Sequence, residues 1–132
     1  MWTHRDIAPR LGDMGATVPE ILRAADTLGD IADVICLTSA DLVHRALRAR
    51  AGFGDHPTEV LDELFPAKRA APVVTVLDGD PNALGFLAAV NAVPLTPLGV
   101  TRFGQSGDLE DVYRHHEIDA ESIVGAALDL LD

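Results

Sequence analysis

Arg102-Phe103-Gly104-Gln105-Ser106-Gly107 is the stretch whose residue types combine best for recognition chemistry. It offers a guanidinium, a glycine-freed backbone amide and a hydroxyl within one short loop. That set can receive an anion or the carboxylate of a neighbouring domain. The same residues also fit a helix-capping loop, with Ser106 placed to cap a helix that begins at Asp108 and Phe103 anchoring the loop to the core. Arg102, Gly104, Gln105 and Ser106 are therefore candidates for an interface or an anion site.

Other constellations carry less. Asp78-Gly79-Asp80 pairs two carboxylates, a donor set that suits Mg²⁺. It equally reads as a strand-to-helix turn, with Asp80 capping before Pro81. Thr38-Ser39-Ala40-Asp41 has the hydroxyls and acid of a helix cap or of a ligand contact. His4, His44, His56, His115 and His116 lack the i, i+3 or i, i+4 pairing, backed by a carboxylate or Cys, that a zinc site needs. Ser106 does not stand in a Gly-x-Ser-x-Gly elbow, and Lys68 lies in no glycine-rich phosphate loop. No catalytic, cofactor-binding or metal-binding residue is assigned.

The elements that must position these residues follow from periodicity. Residues 7–15 hold Pro9, Gly12 and Asp13, which points to an edge strand or an irregular lead-in. Thr17-Val18-Pro19-Glu20 fits a capping box that opens a helix with Val18, Ile21, Leu22, Ala25 and Leu28 inward. A strand is expected over Asp33–Leu37, holding Cys36 as a small buried thiol. A helix capped by Thr38 or Ser39 follows, with Leu42, Val43, Ala46 and Leu47 facing the core. Glu59–Phe65 reads as a short helix stopped by Pro66. Val73–Leu77 is apolar except for Thr75, as in a strand covered on both faces. A helix carries Leu84, Leu87, Ala88 and Val90 inward, and a last strand near Leu95–Leu98 leads to the Arg102 loop. Two helices close the chain. The first has Leu109, Val112, Tyr113 and His116 in phase; the second is capped by Asp119 and packs Ile123, Val124, Ala127, Leu128 and Leu131.

Strands alternating with helices make a mostly parallel, three-layer α/β sheet the natural architecture. The 132 residues suit one domain. The formal net charge of −11 and an isoelectric point near 4.6 oppose nucleic-acid binding. No apolar run approaches the roughly 20 residues of a membrane helix, and no apolar stretch follows the first residues as in a secretory signal. A single cysteine excludes an internal disulfide and, with these features, leads to an expected cytoplasmic location.

From Met14-Gly15-Ala16-Thr17-Val18-Pro19-Glu20 onward the chain resembles the C-terminal domain of transketolases and homodimeric pyruvate dehydrogenase E1 components. The likeness is most specific at Phe103-Gly104-Gln105-Ser106, at Leu109, Tyr113 and His116, and at Ile118-Asp119-Ala120-Glu121-Ser122-Ile123. The resemblance implies a three-layer α/β fold whose mainly parallel sheet has one antiparallel edge strand. It implies partners that carry the thiamine diphosphate-binding domains or subunits, with thiamine diphosphate and Mg²⁺ in the assembled enzyme and none held by this chain alone. Activity alone is not expected, and a homo-oligomer is compatible. The other reading is an autonomous α/β module that binds an anionic metabolite at the Arg102–Ser106 loop as a regulatory site.

Overall fold

The computed structural model describes residues 18–77, 79–100 and 118–131. Across these residues the chain is a mixed α/β protein with one sheet of two parallel strands. Helix α1 (Val18–Leu28) buries Ala24 and Ala25 and ends at Gly29, whose φ of 61° suits a residue without Cβ. A 3₁₀ turn, Gly29–Ile31, follows.

Residues 32–37 form no ladder, which corrects the strand expected at Asp33–Leu37. The run is apolar enough for a buried strand, but apolarity does not supply a hydrogen-bonding neighbour. Cys36 is accordingly half-buried rather than enclosed. One end of the run is tied to the lead-in of β1 by the Arg69–Asp33 ion pair, at 3.1 Å. Leu37, at the other end, packs against the core.

Helix α2 (Ala40–Arg50) buries Val43 and Ala46 and has Asp41 paired with Arg45 on its wet side. Ser39 stands at its N-cap but makes no side-chain cap bond. Leu42, expected inward, is 48% exposed, because the buried stripe runs through Val43, Ala46 and Leu47. Helix α3 (Glu59–Leu64) buries Leu61 and closes with the Phe65 amide on the Leu61 carbonyl before Pro66. A 3₁₀ turn, Ala67–Arg69, leads towards strand β1 (Val73–Val76).

After β1, Asp80 caps the next segment by accepting from the Asn82 amide at 2.9 Å, with Pro81 in the first turn. That segment winds as a 3₁₀ helix, Pro81–Leu87, before the short α4 (Ala88–Asn91). Gly85 within the run weakens α-helical propensity there. Arg50 reaches across to the Val90 carbonyl at 2.6 Å, and the Asn91 side-chain Nδ2 donates to the Phe65 carbonyl at 2.9 Å.

Strand β2 (Leu95–Leu98) pairs parallel with β1, Val73 opposite Leu95 and Val76 opposite Leu98. The Val73 and Leu77 amides donate to Pro94 and Leu98. Backbone groups alternate sides along a strand, so the position of Pro97 points away from β1, where its missing N–H costs no rung. Helix α5 (Ala120–Leu131) packs on α1 and on both strands, burying Ile123. Leu128 and Leu131, expected to pack, are 44% and 58% exposed. The central cluster is Val43, Ala46, Leu61, Leu87 and Val90. The expected strand or lead-in at 7–15, the Thr17 cap and the helix carrying Leu109 to His116 lie outside the described residues. No antiparallel edge strand occurs among the described ones.

Candidate functional site

Arg102, Gly104, Gln105 and Ser106 lie outside the described residues, as does Asp78. What the structure supplies is the frame on either side of them, and both sides are firmly held. At the entry, the Val100 amide donates to the Gly79 carbonyl at 2.7 Å. Gly99 passes so close to the Gly79–Pro81 turn that a Cβ on it would lie 2.4 Å from the Gly79 carbonyl oxygen. The backbone leaving β2 thus sits against the turn leaving β1, at the carboxyl end of the parallel pair. Ligands of open α/β sheets meet the chain at that end.

At the exit, Ile118 is wholly buried and Asp119 nearly so. The Ser122 hydroxyl donates to Asp119 Oδ1 at 2.6 Å, and the Ile123 amide donates to the Asp119 carbonyl. The Ala120 amide, first in α5, donates to Glu20 Oε2 at 2.7 Å. Glu20 is only 5% exposed, and its Oε1 pairs with Arg23. Both carboxylate oxygens of Glu20 are engaged in this way, one of them with an amide 100 residues downstream, while the capping box expected between Glu20 and Thr17 lies outside the described residues. An anionic carboxylate beside a helix N-terminus is well placed electrostatically. The helical spacing of four between Glu20 and Ala24 was the signal available in the sequence; the distant partner was not.

The turn after β1 behaves as a cap at Asp80, and no group of three or more His, Cys, Asp or Glu capable of holding a metal occurs among the described residues. His44 meets the Phe86 ring edge-on, with centroids 5.1 Å apart, and the His56 Nδ1–H donates to the Pro57 carbonyl at 2.8 Å. These two histidines therefore have structural contacts. An apolar cavity of about 840 Å³ opens between residues 32–37 and β1, with α1 and α5 contributing Ile21 and Ile123. Thr75 borders it, and its buried hydroxyl has no hydrogen-bond partner among the described residues. No helix among the described residues is long and apolar enough to cross a membrane. No protein-family model matches the chain, and no curated protein or solved structure matches it either.

Proposed function

We propose that the chain is the C-terminal domain, or a separately encoded small subunit, of a thiamine diphosphate-dependent enzyme of the transketolase or pyruvate dehydrogenase E1 type. In this reading it assembles with cofactor-binding domains, in the cytoplasm, and turns over nothing alone. Its complete fold is then the three-layer sheet with one antiparallel edge strand. The observation that carries the reading is the closing run Phe103-Gly104-Gln105-Ser106 to Ile118-Asp119-Ala120-Glu121-Ser122-Ile123. The parallel β1–β2 pair supports it, as does the pinning of the chain at Val100 and Ala120.

The experiment is complementation. An E1 or transketolase core lacking its last domain is mixed with this chain, and co-elution and recovered keto-substrate turnover are measured. Co-elution with recovered turnover, weakened by Arg102→Ala, is the expected result. Tight calorimetric binding of thiamine diphosphate and Mg²⁺ by this chain alone, or keto-substrate conversion without the core, would overturn the reading. The second reading, a regulatory anion site, rests on the guanidinium, amide and hydroxyl of Arg102, Gly104 and Ser106. It predicts thermal stabilisation by phosphorylated or carboxylated metabolites that disappears in Arg102→Ala.

A further inference from the structure

Two outward faces of the molecule carry charges of opposite sign beside exposed apolar side chains. The first belongs to α2. Residues 44–50 hold three arginines and no acid, although the chain as a whole has 21 acids against 10 bases. Outside the buried stripe of Val43 and Ala46, Leu42 is 48% exposed, and Arg45 lies one turn on. Arg45 pairs with Asp41, an exposed pair that adds little and exchanges readily. Arg48 makes no ion pair among the described residues, and its guanidinium stands 5.2 Å from the centroid of the Phe53 ring. Phe65 and Phe86 pack against the core, whereas Phe53 is 64% exposed. Its backbone is fixed all the same: the Phe53 amide donates to the Arg48 carbonyl at 2.8 Å, and the Gly52 amide to the Ala49 carbonyl at 3.0 Å. Gly52 and Gly54, at φ 97° and 103°, hold a turn that other residues adopt only with strain. An aromatic ring and an arginine held outward together are the groups that protein interfaces concentrate.

The second face is on α5. This helix has two acids, Glu121 and Asp129, and no base. Glu121, Gly125 and Leu128 follow at spacings of four and three residues, on the side opposite buried Ile123. Both acids are exposed, and Leu128 is 44% exposed. Among the described residues nothing lies within 4 Å of a Cβ placed on Gly125, so a neighbouring helix meets no obstacle there. We propose that these faces are the two halves of one contact between copies of this chain. In it, α2 and Phe53 of one copy receive α5 of another, with Leu42 and Phe53 against Leu128, and Arg45 and Arg48 against Glu121 and Asp129. Charge complementarity selects this occupant. Two molecules at −11 repel as wholes, so a second copy approaches where the local sign is reversed, and α5 brings acid and leucine to that place. The lengths agree as well, since helices of 11 and 12 residues both run about 17 Å. Each copy carries one of each face, and a two-fold dimer makes the contact twice.

Sedimentation velocity on the full chain, from about 1 to about 300 µM, tests this, since small interfaces associate weakly. A mass rising from the 14.0 kDa of one chain towards twice that value is expected. Arg45→Glu with Arg48→Glu, or Glu121→Arg with Asp129→Arg, should each weaken association at least about tenfold. The second pair removes two acids and adds two bases, so general repulsion alone predicts stronger association instead. Mixing the two charge-reversed proteins should restore binding, because both contacts of the mixed dimer then join unlike charges. Phe53→Ser leaves the charges alone and should weaken association by a similar factor. Melting temperatures at the lowest concentration identify any variant that has lost its fold; Phe53→Ser, at an exposed ring, keeps the test standing. A single 14.0 kDa species at every concentration would overturn the proposal. So would association that survives both reversals, or reversed proteins that stay apart when mixed.

Discussion

Glu20 keeps a carboxylate in the interior by giving each oxygen a different partner, the Ala120 amide and the Arg23 guanidinium. The two are unequal. Arg23 is 60% exposed, so its attraction is screened and adds little. The bond to the Ala120 amide is shielded, and hydrogen bonds to charged groups contribute about 1.5–3 kcal/mol. Glu20→Ala should therefore lower unfolding stability by roughly 2–3 kcal/mol, and Glu20→Gln, which retains an acceptor, by about half of that; urea denaturation midpoints of the three proteins check the order. Thr75 is the converse case. Its buried hydroxyl has no partner among the described residues, and an unmet buried polar group costs about 1–3 kcal/mol, so Thr75→Val should raise stability by about 1 kcal/mol in the same assay.

Among the elements, the two strand ends are joined where only glycine fits. At Gly99 a Cβ would stand 2.4 Å from the Gly79 oxygen and 2.8 Å from the Pro81 nitrogen, all backbone that cannot swing aside. Gly99→Ala should cost about 1–3 kcal/mol, as overpacking does. Gly125→Ala is its control, since nothing lies within 4 Å of that position in α5; it should stabilise by up to ~1 kcal/mol through helix propensity. Ala92, at φ 53° after α4, is the one described non-glycine residue in the left-handed region. Ala92→Gly should recover about 1 kcal/mol, read as a raised melting temperature. The elements were legible from sequence where a local pattern decides them: the strand expected over Val73–Leu77 forms at Val73–Val76, and the stop at Pro66 and the Asp80-Pro81 cap stand as expected. Periodicity misjudged Leu42, Leu128 and Leu131, because it names a face without saying how far a neighbour extends over it. It also could not foresee that residues 32–37 make no ladder, since pairing belongs to two segments at once.

For the whole molecule, an excess of acid is the dominant field. With 21 acidic residues against 10 basic ones, compaction works against self-repulsion. Raising sodium chloride from about 0.02 M to about 0.5 M, which shortens the screening length well below 10 Å, should raise the melting temperature by several degrees. A flat or falling response would show that the ion pairs of Asp33, Asp41 and Glu20 outweigh the repulsion. At this scale sequence reading captured the class, helices with parallel strands, because strand and helix patterns alternate. The Arg102–Ser106 candidates were legible only as residue types; the frame that holds their flanks, Val100 on Gly79 and Ala120 on Glu20, depends on contacts far apart along the chain.

That last bond also bears on how the protein is made. A ribosome extends a chain from its N-terminus, and the amide that satisfies Glu20 belongs to Ala120. Until Ala120 has been made, the Glu20 oxygen it serves has only water to meet it, so α1 reaches its final place only after α5 emerges. Packing of α1 on α5 is thereby deferred until a hundred further residues have been made, and a transcript cut short before Ala120 yields a polypeptide without the amide that carboxylate accepts from.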